Sequence, residues 1–97
     1  MSDPDRVTIR DIPEAGRYEL LVGDRLAGLA TYRRDGDRLT LPHTEVRPGY
    51  EGRGLGTKLA RFVLDDARAQ GLRVVPACEF IEVYIERHPE YRDLVAE

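Results

Sequence analysis

The sequence predicts an α/β fold: a mixed, mostly antiparallel sheet, one helix after a glycine-rich loop, and a second helix near the C-terminus. Three observations predict it. The first half is a series of short apolar segments separated by turn signals. The second half changes period, with Leu55, Leu59, Phe62, Val63 and Ala67 along one helical face. Between the halves lies the stretch YEGRGLGTKLARFVLDD, Tyr50 to Asp66, in which Gly52, Gly54 and Gly56 alternate just ahead of the helix.

The elements follow in order. Val7–Asp11 is a short candidate strand, and Arg17–Val22 follows it. Gly23-Asp24 is a turn, and Asp35-Gly36 is a hairpin signal between Leu26–Arg34 and Arg38–Val46. Leu26–Arg34 is nearly continuous in small and apolar residues, the pattern of a central strand covered on both faces. Pro42 interrupts the next run, which requires an edge position or a bulge there. Gly71 stops the long helix, and Leu72–Val75 is a short strand ended by Pro76. The second helix runs from near Cys78 to Arg87, with Phe80, Val83, Tyr84 and Arg87 at helical spacing, and Pro89 ends it. Tyr91, Leu94 and Val95 then pack a last turn against the body.

Composition limits what such a fold does. A chain of 97 residues suffices for one domain, 1–97, with a modest core. The net charge of −3 supplies no basic field for nucleic acid. No apolar run approaches the ~20 residues of a membrane span. The N-terminal MSDPDRVTIRD carries no apolar signal segment. Cys78 is the only cysteine, so neither an intrachain disulfide nor a CxxC metal site forms, and a reducing cytoplasmic location is the simplest reading.

The glycines stand between a strand ending near Val46 and a helix beginning near Leu55. A helix start presents unpaired N–H groups and the positive end of the helix dipole. Glycines there let the backbone wrap an anion, and Arg53 adds a charge-assisted contact, so the place suits phosphate. Two common phosphate motifs fail on spacing. The Walker order Gly-Lys-Ser/Thr is replaced by Gly56-Thr57-Lys58. The dinucleotide pattern meets Thr57 or Leu59 where its last glycine belongs.

What fits is the acetyl-coenzyme A loop of the GNAT superfamily, Gln/Arg-x-x-Gly-x-Gly/Ala between a strand and a long helix. Glu51-Gly52-Arg53-Gly54-Leu55-Gly56 resembles it in all but the first position. With HTEV at His43–Val46, VVPACEF and YIERHPEY, the chain resembles the small Yjdj-type N-acetyltransferase domain over roughly Tyr18 to Val95. The resemblance implies a GNAT-like fold and acetyl-coenzyme A as co-substrate, with no metal. It implies coenzyme contacts from Val46, Gly52, Arg53, Gly54, Leu55, Gly56 and Thr57. It also implies an open, shallow acceptor side, since there is no room for the two helices that follow the first strand in larger members.

Acetyl transfer to an amine requires a base for the amine proton, a donor for the oxyanion and a proton for the leaving thiolate. His43 and Glu45 stand two apart on a strand end, which puts them on one face if the strand is regular. An imidazole titrates near neutrality, whereas Glu45 requires burial to raise its pKa. Either is the candidate base, against a solvated strand-end pair. Tyr84 matches the superfamily's thiolate-protonating tyrosine, against a core tyrosine with its hydroxyl at the rim. Cys78, at a helix start near the expected coenzyme sulfur, is either an acetyl-carrying nucleophile or a packing residue. The sequence reading is therefore an acetyl-coenzyme A-dependent N-acetyltransferase acting by direct transfer on a small-molecule or protein amine. The alternative is a noncatalytic acyl-coenzyme A binding or sensing module.

Overall fold

A computed structural model describes residues 5–96, so the start of the N-terminal MSDPDRVTIRD stretch and Glu97 lie outside the described residues. The strands are β1 (Val7–Ile12), β2 (Arg17–Val22), β3 (Arg25–Asp35), β4 (Arg38–Val46) and β5 (Arg73–Val75). The helices are α1 (Leu55–Ala69) and α2 (Glu79–Arg87). Two 3-10 segments, Pro13–Ala15 and Pro89–Leu94, complete the chain. The strands form one sheet in sequence order. The first three pairings are antiparallel, and β5 joins β4 in parallel through the α1 crossover, giving the mixed sheet the sequence predicts. Between β1 and β2 stand only residues 13–16.

Strand alternation sends Tyr18, Leu20 and Val22 of β2 to the face covered by α1, where all three are buried. The register carries that face across β3 through Gly28 and Ala30, opposite Leu20 and Tyr18. Leu55, Leu59, Ala60, Val63, Leu64 and Ala67 of α1 pack on it with Leu39, Leu41 and Val74. Phe62, expected on this face, is displaced to its margin and is 39% exposed, its ring edge-on to Tyr18. The buried face of α2 is Ile81, Tyr84 and Ile85, not the Phe80–Arg87 stripe, and Phe80 is 42% exposed.

The β3–β4 turn is Gly36-Asp37, one residue later than the sequence signal, because Asp35 still pairs with Arg38. The interruption at Pro42 resolves as a bulge. Thr31 pairs with His43 and Arg33 with Thr40, so Leu41 and Pro42 together oppose Tyr32. A residue without an N–H is tolerated where the ladder is already broken. The bulge resets the alternation: Leu39 and Leu41 point to α1, but beyond it Thr44 and Val46 do so, opposite Ala30 and Gly28. His43 and Glu45 fall on the other face.

Neighbouring aspartates on α1 tie it to two distant segments. Tyr18 Oη donates to Asp66 at 2.6 Å, and Tyr91 Oη donates to Asp65 at 2.6 Å. Arg68 closes the second attachment with a fork onto Asp93, both N···O distances being 2.9 Å. Burial, and then the bond to Asp65, pushes the Tyr91 phenol up to about 12 from 10.0. A phenol pKa raised by folding contributes stability in full below about pH 10, lost as pH rises through about 12. Tyr91→Phe is expected to cost about 1 kcal/mol at pH 7 in urea titrations. It should also lessen, but not remove, the loss of wild-type stability between about pH 10 and 12, since the Tyr18 and Tyr32 phenols are raised as well; an unchanged alkaline limb contradicts the assignment.

Candidate active site

The bulge gives β4 two working sides. On the face away from α1, His43 Nε2 and Glu45 Oε1 stand 2.9 Å apart, with the side chains 55% and 37% exposed. Arg47 approaches Glu45 Oε2 at 3.7 Å. The hydrogen bond from His43 is the main cause that holds the Glu45 carboxyl below the usual carboxylate range, and the Arg47 charge adds to it. This is opposite to the raised pKa that a glutamate base requires, because Glu45 is solvated and cation-paired rather than buried. If Nε2 carries the proton toward Glu45, Nδ1 presents its lone pair, and it has no hydrogen-bond partner among the described residues.

The other side is an edge. β5 pairs only with Arg38–Thr40, so β4 from Leu41 to Val46 has no strand beyond it among the described residues. The Arg47 N–H donates to Ala27 on β3 at 2.7 Å. Backbone direction alternates along a strand, so Thr44 and Val46 turn their N–H and C=O groups to the free edge. That edge leads to the glycine loop. Gly52 and Gly54 hold left-handed conformations, φ 78° and 73°, with open space where a Cβ would stand. They are glycine for backbone reasons, since L side chains rarely adopt this region. Gly54 is the N-cap of α1 and gives its first turn no side-chain cap. The Lys58 N–H bonds Gly54 O at 3.2 Å, leaving the N–H groups of Leu55, Gly56 and Thr57 ahead of it for a ligand.

Gly56 has a different reason: a Cβ there would meet Phe80 Cζ at 2.9 Å and Val46 Cγ2 at 3.5 Å. Glu51 folds back to accept the Gly49 N–H at 3.0 Å, bracing the loop from within. The Arg53 guanidinium lies over the Tyr50 ring at 5.7 Å, held beside the helix start. A cleft between α1 and α2 continues from there, lined by Thr57, Phe80, Val83, Tyr84, Arg87 and His88. An uncapped helix start, a cation and an apolar-walled cleft beside a free strand edge fit an elongated ligand with an anionic end.

The two remaining candidates belong to α2, one of them as its N-cap. Cys78 caps α2 through its backbone, its carbonyl accepting the Glu82 N–H at 3.0 Å, and its half-buried side chain packs on the core. Tyr84 is six residues on, about 9 Å along the helix axis. Its ring is buried and stacks on His88 at 4.0 Å. No hydrogen bond joins either residue to His43 or Glu45 among the described residues. Sequence reasoning missed Thr44, Arg47, Tyr50 and Phe80. The position of Thr44 one residue inside the His43–Glu45 pair, and the aromatic ring just ahead of the glycine loop, were the available signals. No cluster of metal-ligating side chains occurs among the described residues, and no helix among them is long and apolar enough to cross a membrane.

Residues 17–94 match the family described as GCN5-related N-acetyl-transferase. The chain belongs to the GCN5-related N-acetyltransferase family. It is similar to Protein NATD1 of Homo sapiens, 36% identical over 59 residues, which cover 60% of this chain and 52% of that protein. Protein NATD1 of Gallus gallus is equally similar, with 54% of its length covered. The chain thus spans about half the length of the curated relatives it matches. Among solved structures, a GCN5-like protein from Staphylococcus aureus superposes with a TM-score of 0.69 at 24% identity, covering 96% of this chain and 89% of that one. The ribosomal-protein-S18-alanine N-acetyltransferase of Escherichia coli superposes at 0.61 and 22% identity, covering 75% and 50%. N-acetylglutamate synthase of Neisseria gonorrhoeae, determined with coenzyme A and N-acetyl-glutamate, superposes at 0.54 and 19% identity, covering 70% and 18%. These likenesses establish the fold.

The two kinds of glycine respond differently to alanine. Gly54→Ala forces a side chain into the left-handed region and is expected to cost about 1 kcal/mol. Gly56→Ala displaces only the far end of the exposed Phe80 ring and adds a better helix former in the first turn of α1, so its urea midpoint should stay near wild type. Equal losses in the two variants contradict this distinction.

Proposed function

We propose that this chain is an acetyl-coenzyme A-dependent N-acetyltransferase that moves the acetyl group directly to an amine. One observation carries the reading: a single strand, β4, has the free edge and glycine loop on one side and the His43–Glu45 pair on the other. The coenzyme and the acceptor can therefore reach the same strand from different directions. The coenzyme supplies a thioester whose carbonyl is open to attack by an amine. The Leu55, Gly56 and Thr57 N–H groups and Arg53 hold its pyrophosphate. Glu45 holds the imidazole through Nε2, and His43 Nδ1 takes the proton from the amine as nitrogen attacks. Glu45 is a positioning residue here, because its lowered pKa makes it a poor base. Tyr84, on the cleft wall, returns a proton to the departing thiolate. With only the 3-10 segment between β1 and β2, little covers the His43 face, which admits amines on large as well as small molecules.

Stopped and steady-state assays with acetyl-coenzyme A and an amine panel test the proposal. Turnover is expected; binding of acetyl-coenzyme A without turnover would select the acyl-coenzyme A binding module instead. His43→Gln is expected to lower kcat by about a hundredfold or more, with coenzyme affinity retained and the acidic limb of the pH–rate profile gone. Persistence of that limb in His43→Gln removes His43 as the base. Cys78→Ala is expected to retain substantial turnover, with kinetics requiring both substrates bound together. A burst of free coenzyme A and an inert Cys78→Ala would establish the covalent route in its place.

A further inference from the structure

Among the described residues, Thr44 Oγ1 is the buried side-chain oxygen without a hydrogen-bond partner. A hydroxyl so placed is a cost to the fold, and valine has the same shape without it. Its position explains why a hydroxyl stands there. Thr44 is opposite Ala30, on the α1 face of β4, and its own backbone turns to the free edge beyond Thr40. Two residues along the same face, about 7 Å away, Val46 lies against Gly56 in the first turn of α1. The hydroxyl therefore belongs to the stretch of β4 between the glycine loop and the last residue that β5 pairs with, Thr40. Thr44 as a residue is only half-buried, and its χ1 has other staggered wells open to it.

We propose that Thr44 is a ligand-positioning residue, whose hydroxyl hydrogen-bonds an amide group of the coenzyme A arm as the arm lies along the free edge of β4. The inference rests on the acyl-coenzyme A reading above. It assigns the arm a side-chain partner in addition to the strand backbone, and it gives the hydroxyl a partner in the complex.

The test compares wild type, Thr44→Val and Thr44→Ser by thermal melting without ligand and by calorimetric titration with coenzyme A and with acetyl-coenzyme A. Thr44→Val is expected to melt at or above wild type when free, since it removes an unsatisfied group. Its dissociation constants for both ligands should rise about five- to tenfold, the weight of one hydrogen bond. Thr44→Ser, which keeps the hydroxyl, should bind within about twofold of wild type. Wild-type affinity of Thr44→Val for both ligands overturns the inference. So does a lower free melting temperature in Thr44→Val, which reveals a structural partner for the hydroxyl, or equal weakening in Thr44→Ser, which implicates the methyl group. A loss confined to acetyl-coenzyme A overturns the assignment to the arm, because the two ligands differ only at the thioester. Wild-type protein that binds neither ligand overturns the acyl-coenzyme A reading, and this inference with it.

Discussion

The extra residue in β4 at Leu41–Pro42 sets the phase of everything downstream on that strand. In an unbroken strand, Leu39, Leu41, His43 and Glu45 would share one face, and that face is the core under α1. Two ionisable groups would then be buried against Leu59 and Val63, where a charge without a partner is strongly disfavoured. The bulge turns His43 and Glu45 out and Thr44 and Val46 in. It also coincides with the point beyond which β5 no longer follows β4. Pro42 reinforces both effects, since it lacks the N–H with which a continuing ladder would be made. One irregularity thus separates a polar working face from a backbone edge without interrupting the strand.

The electrostatics divide along the same line. On the outer face, two carboxylates are partnered: Glu19 by Arg17 at 2.7 Å and Arg10 at 3.7 Å, Glu45 by the His43 imidazole at 2.9 Å and Arg47 at 3.7 Å. On the inner side, the first turn of α1 carries no acidic residue, and Glu51 just ahead of it is engaged with the Gly49 N–H. The acidic residues that α1 does carry in contact with other segments, Asp65 and Asp66, are near its far end and accept from tyrosines. An overall charge of −3 therefore conceals a helix start that is favourable to an anion.

How far this was legible in the sequence depended on the range of the interaction that decides each feature. Alternation, helical period and turn residues are local, and they place every strand and both helices to within a residue or two, as with Arg17–Val22 and Arg38–Val46. The glycine loop was legible because left-handed backbone and an uncapped helix start leave a pattern in neighbouring residues. The direction of His43 was not, because Pro42 signals a break without fixing how many residues it absorbs. The Glu45 carboxyl is held low first by its hydrogen bond with His43 and also by Arg47, contacts that depend on where the bulge turns these side chains. Tyr18 and Asp66 are 48 residues apart, and only packing brings them together. Phe80 illustrates the same limit on a helix: its spacing reads as core, yet its ring lies across Gly56 at the edge of a cleft.

The connections of the sheet also determine the order in which the molecule can be assembled. β1 to β4 are joined by loops of four, two and two residues, at 13–16, Gly23-Asp24 and Gly36-Asp37. Such short closures cost little chain entropy, and the contacts they make are close in sequence. Four of the five strands can therefore pair while the rest of the chain is still leaving the ribosome. The glycine loop, α1 and α2 come later in the chain and have that meander as a template. Only β5 needs the long crossover, and it is three residues long. The glycine loop and the two helices are in this sense a late addition to a platform whose own strand pairings are already complete.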